Sequence, residues 1–278
     1  MCNYFDINIF TKYLIILFPI LLFSQNDFGL EDLNYNLVNI SSKPISSNYL
    51  NCDTEENIIN KEKYYAELTF HYWYWKNKIN TSEDNWIGFC QRRRFWTKIK
   101  ILENKIEKNE MKKNLLTEIP NELSKFESFL CESVKVNKIK KMKIIKKGFR
   151  SLLRNPNILF DENKQTLSFQ FNMQHGYNIL EQSIELLGNE DKYDFFDFMN
   201  NSVSFNPHNM VIAKPKILNK WYKNLFTWLD KCESKLGFSQ FKNYETRIYA
   251  FLSERYISYW FKKYSKCHEL PWTFFEND

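Results

Sequence analysis

Glycine is scarce, with six in 278 residues, and neither a G-x-G-x-x-G nor a Walker A pattern occurs. That removes the glycine-rich loops that cradle phosphate on backbone amides. Any phosphate bound here must be held largely by side chains. The six cysteines (Cys2, Cys52, Cys90, Cys131, Cys232 and Cys267) are scattered, with no C-x-x-C pair and no histidine at ligand spacing. A zinc site or a disulfide framework is therefore not expected, and a reducing compartment fits better. No D-x-D motif is present. The one apolar run near the N-terminus, residues 13–23, is interrupted by Pro19 and falls short of the ~20 residues of a membrane span. It is preceded by a single lysine, Lys12, and followed by no A-x-A-like site. It reads as a buried first strand, with a signal or anchor as the alternative.

Bulk and positive charge are what the chain does have. Hydrophobic residues make up 44% and aromatics 18%, with 25 Phe, 16 Tyr and 8 Trp, which calls for a deep core rather than disorder. The net charge of +6 suits an anionic partner (nucleotide, nucleic acid or anionic membrane) without choosing among them. Residues 135–154 concentrate nine Lys/Arg with no Asp or Glu. This run is either a solvated basic face or one attracted to an anionic leaflet; no nucleic-acid-binding motif accompanies it.

The organising stretch is residues 86–96. Trp86-Ile87-Gly88-Phe89 is an apolar strand, and Gln91-Arg92-Arg93-Arg94 follows as a cationic tip between it and Phe95-Trp96. Either the arginines are surface charges, or they bind an anion beyond the end of a strand. A helix precedes it, with Tyr65, Leu68, Tyr72, Trp75 and Ile79 on one face; His71 reads as a core histidine. Residues 98–132 read as charged helices with a stripe of Leu115, Leu116, Leu123, Phe126 and Leu130. Leu167, Phe169 and Phe171 alternate with Ser168 and Gln170, the pattern of a half-buried strand, with His175-Gly176 at the turn after it. Asp191, Asp194 and Asp197 read as the outer face of a short helix rather than a metal cluster. A long helix opens at Pro215, buries Leu218, Trp221, Leu225, Trp228 and Cys232, and stops at Gly237. A last helix, residues 244–264, places Arg247, Phe251, Glu254 and Arg255 on one face.

Several ordered blocks resemble a known bacterial family. Asp53-x-x-x-Asn57-Ile58, Tyr65-Ala66-Glu67-Leu68-Thr69, Tyr72-Trp73-Tyr74-Trp75-Lys76-Asn77 and Ile87-Gly88-Phe89-Cys90-Gln91-Arg92-Arg93-Arg94-Phe95 are joined by Asn209-Met210-Val211-Ile212 and by Arg247 with Phe251-Leu252-Ser253-Glu254-Arg255. Together, over residues 53–265, they resemble glycosyltransferase-like proteins of capsular and exopolysaccharide biosynthesis, long carried as a domain of unknown function. Gln91-Arg92 stands where the family has His-Tyr.

The resemblance implies an α/β fold, GT-A-like (Rossmann-like), with a mixed sheet flanked by helices and an added helical segment. Residues 53–278 form this domain; residues 1–52 match poorly. It implies transfer of a sugar from a nucleotide-sugar donor to a surface polysaccharide or lipid-linked glycan. Gln91, Arg92, Arg93, Arg94, Glu67, Asn57 and Lys76 fall on the donor side, and His175, Asn209, Arg247 and Arg255 on the acceptor side. Catalytic candidates are Glu254, Glu245 and His208, since inverting transfer needs a base for the acceptor hydroxyl. With arginines where GT-A enzymes carry D-x-D, the expectation is a metal-independent enzyme, Mn²⁺ or Mg²⁺ being left open, because a guanidinium fork matches phosphate oxygens at any working pH. The expected place is the cytoplasm, at the inner face of the membrane, with no nucleic-acid partner. The competing readings are a non-catalytic binding module for nucleic acid or anionic membrane, and an inactive transferase relative.

Overall fold

The computed structural model describes residues 12–17, 20–22, 35–40, 49–91, 93–101 and 108–275. In chain order come β1 (Lys12–Leu17), β2 (Ile20–Leu22), β3 (Tyr35–Asn39), β4 (Tyr49–Asn51), α1 (Glu62–Tyr65), α2 (Leu68–Asn77), β5 (Ile87–Phe89), β6 (Arg94–Trp96), α3 (Lys108–Asn114), β7 (Ser128–Cys131) and β8 (Val134–Lys135). Then follow α4 (Lys141–Lys147), α5 (Phe149–Arg154), α6 (Leu167–His175), α7 (Ile179–Ile184), α8 (Asn189–Asn201), β9 (Ser204–Phe205), β10 (Val211–Ala213), α9 (Pro215–Leu236), α10 (Ile248–Tyr264), β11 (Cys267–Leu270) and β12 (Trp272–Phe274).

The main sheet has the order β11-β7-β10-β5-β1-β2-β3-β4. It is mixed: β10 runs antiparallel to β5 and β7, whereas β11 is parallel to β7 and β4 to β3. Every residue of β5, β7 and β10 is buried. Strands covered on both faces need apolar runs rather than alternation, and Ile87-Gly88-Phe89 and Val211-Ile212-Ala213 supply them. Two short ribbons, β6–β12 and β8–β9, stand beside the main sheet. The 13–23 run contributes β1 and β2 to it.

Helices cover the sheet. All five residues expected in the stripe of α9 are buried, with Tyr222, Phe226 and Leu229 beside them. Truncating Trp221 at the centre of this layer costs about 3–5 kcal/mol. The helix expected around residues 65–79 breaks into α1 and α2 at Ala66, whose φ of 47° is left-handed. His71 is a core residue, as expected: its Nδ1 is 2.9 Å from Tyr222 Oη and its ring stacks on Phe89.

Two elements differ from the sequence reading. Residues 167–171 are helix, not strand. Thr166 Oγ1 caps α6 by accepting from Phe169 N, and both apolar and polar side chains of the segment are buried, so their alternation carried no information about faces. Gly176, with φ of 101°, ends the helix where a side chain would be strained. Conversely, Phe129-Leu130-Cys131 lies in β7, between β10 and β11, rather than on a helical stripe; a three-residue apolar run fits either period. Among the described residues no helix is long and apolar enough to cross a membrane.

Candidate active site

Because β10 is antiparallel to β5 and β7, its N-terminal end lies beside the C-terminal ends of those two strands. At that end opens a cleft of about 600 Å³. Its walls come from the turn after β5 (Gln91, Arg93, Arg94), the loop before β10 (Pro207, His208), α6 (Gln170, Gln174, His175) and α10 with the turn before it (Tyr244, Arg247, Phe251, Glu254, Arg255). Glu67, at the start of α2, and Trp272 complete it.

The turn after β5 is tight. Gln91 and Arg94 exchange backbone hydrogen bonds, at 3.3 and 3.0 Å, and Arg94 begins β6. Arg93 and Arg94, next to each other in sequence, therefore do not project together. Arg94 turns into the cleft, donating from Nη1 to Gln91 Oε1 at 3.2 Å and lying over Phe274. Arg93 is exposed at the rim. Arg92 lies outside the described residues. The positive charge is completed from far along the chain, by Arg247 and Arg255.

Arg255 is the most deeply set cation, at 2% exposure. It lies 4.0 Å over the Phe205 ring and donates to Glu254 Oε2 at 3.1 Å and to Gln170 Oε1 at 3.0 Å. Arg247 stacks over Tyr244 and Phe251. Four guanidiniums thus face two carboxylates, Glu67 and Glu254, and the cleft keeps a net positive charge.

Glu67 is the buried carboxylate of the pair, 5% exposed. Its Oε1 accepts from Gln91 Nε2 at 3.0 Å and from Asn209 Nδ2 at 2.7 Å. Burial, and then the nearby charge of Glu254, raise its pKa above the ordinary value; the Asn209 hydrogen bond and Arg247 pull the other way without reversing the shift. Three non-glycine residues in left-handed backbone surround it: Ala66 just before it in sequence, and His208 (φ 78°) and Asn209 (φ 50°) across the cleft. Such strain persists only where surrounding contacts impose it, and it clusters at functional sites. Here the contacts are visible. Gln91 Nε2 also bonds the His208 carbonyl at 2.6 Å, Cys131 Sγ bonds the Pro207 carbonyl, and Asn206 is tied to Cys131 O and Ser258 Oγ.

Both cleft histidines are neutral at physiological pH. Burial, with Arg255 and Arg247 adding to it, lowers His175 to about 3. Burial and then Arg94 and Arg255 hold His208 well below its ordinary value. His175 stacks on Phe251 at 4.2 Å, and His208 meets Trp272 edge-on.

Of the residues singled out from sequence, the cleft brings together Glu67, Gln91, Arg93, Arg94, His175, His208, Arg247, Glu254 and Arg255, with Asn209 held beneath through Glu67. It does not include Asn57, Lys76 or Glu245. Asn57 shapes its own loop, donating to Glu55 O and accepting from Ile59 N. Lys76 pairs with Glu56 at 2.9 Å and lies over the Trp75 ring. Glu245 sits in the 3₁₀ turn before α10 and does not line the cleft. Sequence reasoning missed Gln170, Gln174, Tyr244 and Trp272. The Thr166 cap ahead of an apolar run was the signal that could have placed Gln170 and Gln174 on a helix.

GT-A folds commonly hold a divalent ion at this end of the sheet. The residues here do not fit one: among the described residues no three of His, Cys, Asp and Glu converge, and the tip of β5 offers an amide and guanidiniums. Such a donor set binds anions.

Comparison with solved structures supports the fold. The apo structure of the WbbM bifunctional glycosyltransferase matches with a TM-score of 0.58 and 19% identity, over 85% of this chain and 44% of that one. The fold is thus mixed α/β and GT-A-like, and the chain spans less than half the length of the solved protein it matches. No curated protein matches the chain. A family model described as Domain of unknown function (DUF4422) matches residues 35–266, beginning earlier than the blocks singled out above. With most of its length matched, this chain belongs to the DUF4422 family.

Proposed function

We propose that the protein is a glycosyltransferase that moves a sugar from a nucleotide-sugar donor to a surface polysaccharide or lipid-linked glycan. The supporting observation is the cleft itself: an enclosure walled by Arg94, Arg247 and Arg255, with Glu67 and Glu254 beside them, in a GT-A-like fold.

Charge grows on the leaving diphosphate as the glycosidic bond breaks, and fixed cations in a partly dry site lower that barrier without reorganising. Arg94, with Arg93 at the rim, takes the diphosphate. Arg255 is already engaged by Glu254 and Gln170, so its part is to hold Glu254 in place. Glu254 Oε2 is bound to Arg255, and no other hydrogen bond of this carboxylate occurs among the described residues. Its Oε1 accepts the proton of the acceptor hydroxyl as that oxygen attacks the anomeric carbon. The neutral rings of His175, Tyr244 and Trp272 provide faces on which a sugar or base packs. The guanidiniums take the place of a divalent ion.

A thermal-shift screen of nucleotide-sugars in EDTA tests this, since a bound donor stabilises the fold by mass action. One class of donor should raise the melting temperature, and that donor should be turned over in EDTA. Glu254→Gln should lower turnover by about 10²–10⁴ with the donor-induced shift retained. A panel that produces no shift, or turnover that is abolished by EDTA and restored by Mn²⁺, would contradict the proposal.

A further inference from the structure

Outside the lining of the cleft, α4 and α5 carry an unusual surface. Their inward side is small: Ile144 of α4, with Ile158 of the turn after α5, packs on Phe169 and Met173 of α6, and Ile139, Leu152 and Leu159 lie around them. Gly148 permits the close approach, because a Cβ there would meet Ile144 O at 2.8 Å and the Phe169 ring at 3.1 Å. The outward side should then be polar. Instead Met142 (62% exposed), Ile145 (43%), Phe149 (59%) and Leu153 (70%) project from it, and Phe160 (79%) joins them. Met142 and Ile145 are three residues apart on α4, and Phe149 and Leu153 four apart on α5, so each pair shares one side of its helix. Lys141 lies 5.4 Å from the centre of the Phe160 ring, which places Phe160 beside α4.

All nine Lys/Arg of residues 135–154 are exposed, and six of them, Lys141, Lys143, Lys146, Lys147, Arg150 and Arg154, lie on α4 and α5 themselves. Among the described residues none of them is paired with a carboxylate. A solvated basic face accounts for the lysines but not for five large apolar side chains set among them. A nucleic-acid surface accounts for the charge and leaves Met142, Ile145 and Leu153 unexplained. An interfacial helix needs both, an apolar stripe for the acyl boundary and cations for the headgroups.

We propose that the α4–α5 segment is a docking surface for an anionic lipid leaflet, with Met142, Ile145, Phe149, Leu153 and Phe160 inserted and the lysines on the headgroups. The opposite face of α6 carries Gln170, Gln174 and His175 into the cleft. A docked membrane therefore lies one helix thickness from the site. On the reading that the cleft works on a lipid-linked acceptor, this sets the acceptor's headgroup beside the donor. The docking itself does not depend on that reading.

Co-sedimentation of the full chain with phosphatidylglycerol–phosphatidylcholine vesicles, against pure phosphatidylcholine, tests the surface. The wild type should sediment with the anionic vesicles and be released by salt. Phe149→Ser with Leu153→Ser, and separately Lys143→Glu with Lys146→Glu and Lys147→Glu, should each weaken partitioning at least about tenfold. Both variants should keep the wild-type melting temperature and donor shift, so a failure here is distinct from a failure of the cleft. The proposal is overturned if the chain ignores anionic vesicles, or if the apolar variant sediments like wild type. It is equally overturned if the chain is a dimer that Leu153→Ser dissociates, or if the surface retains duplex DNA but not vesicles.

Discussion

Two buried carboxylates flank α10, and they are treated in opposite ways. Asp191, on α8, is 4% exposed and accepts hydrogen bonds from Tyr256, Tyr259 and Tyr264 and from Lys263. Burial alone would raise its pKa, but the hydrogen bonds outweigh it and hold the carboxyl below its ordinary value. Glu67 is about as buried, yet two amides at one oxygen do not offset burial and the charge of Glu254, and its pKa is raised. The surroundings differ in the same sense. In and beneath the cleft, the buried atoms Arg94 Nε, Arg255 Nε, His175 Nδ1 and Asn209 Oδ1 have no partner among the described residues. A structural ion cluster satisfies its members; a site leaves work for a ligand. By this criterion Asp191, with its three tyrosines and Lys263, forms a brace, and the cleft is where we propose that a ligand binds.

The comparison can be broken from several directions. The largest effect is expected at Arg255. Arg255→Met leaves Glu254 and Gln170 without their buried partner, and should cost about 3–5 kcal/mol in chemical denaturation. If Met proves neutral, the cleft side is not held by this network. Asp191→Asn comes next. It keeps the shape and removes the charge that three tyrosines and Lys263 share, at a cost on the order of 3 kcal/mol. Donor-induced stabilisation should be unchanged; loss of donor binding would move Asp191 from brace to site.

The smallest effect, and the sharpest in sign, is Glu67→Gln. A carboxyl whose pKa is raised in the folded state stabilises the fold at low pH, and that contribution is lost as pH climbs from the ordinary 4.5 through the raised value. Melting temperatures measured from acid to neutral pH should therefore fall less in Glu67→Gln than in wild type. Gln can still accept from Gln91 and Asn209. Asp191 behaves in reverse: its contribution is present above the ordinary 3.8 and vanishes as pH drops through the lowered value. Asp191→Asn should flatten only the acid limb. Identical profiles for both variants would erase the distinction between them.

Long amphipathic segments were legible in the sequence because one face dominates. The stripe of α9, and the shared face of Arg247, Phe251, Glu254 and Arg255 along α10 and the turn before it, followed from spacing alone. Buried elements without an exposed face were not: α6 passed for a strand and β7 for a helix, since burial on all sides removes the periodic signal. The same loss explains the cleft. Glu254 and Arg255 could be seen as neighbours on a helix, but their link to Gln170, 85 residues away, depends on where α6 packs. The arginine tip was visible as charge, whereas the tight turn that carries Arg94 into the cleft and leaves Arg93 at its rim depends on backbone pairing between Gln91 and Arg94. Asp191 looked solvent-facing because its tyrosine partners lie about 70 residues later.

Everything proposed for the cleft requires guanidiniums to hold a diphosphate unaided. Isothermal titration of uridine and guanosine diphosphates into the full chain, in EDTA, measures this directly. We expect saturable binding of one of them, weakened at least about tenfold by Arg94→Ala, in line with the loss of a charge-assisted hydrogen bond. Binding that appears only when Mn²⁺ is supplied, or that Arg94→Ala leaves unchanged, would contradict it.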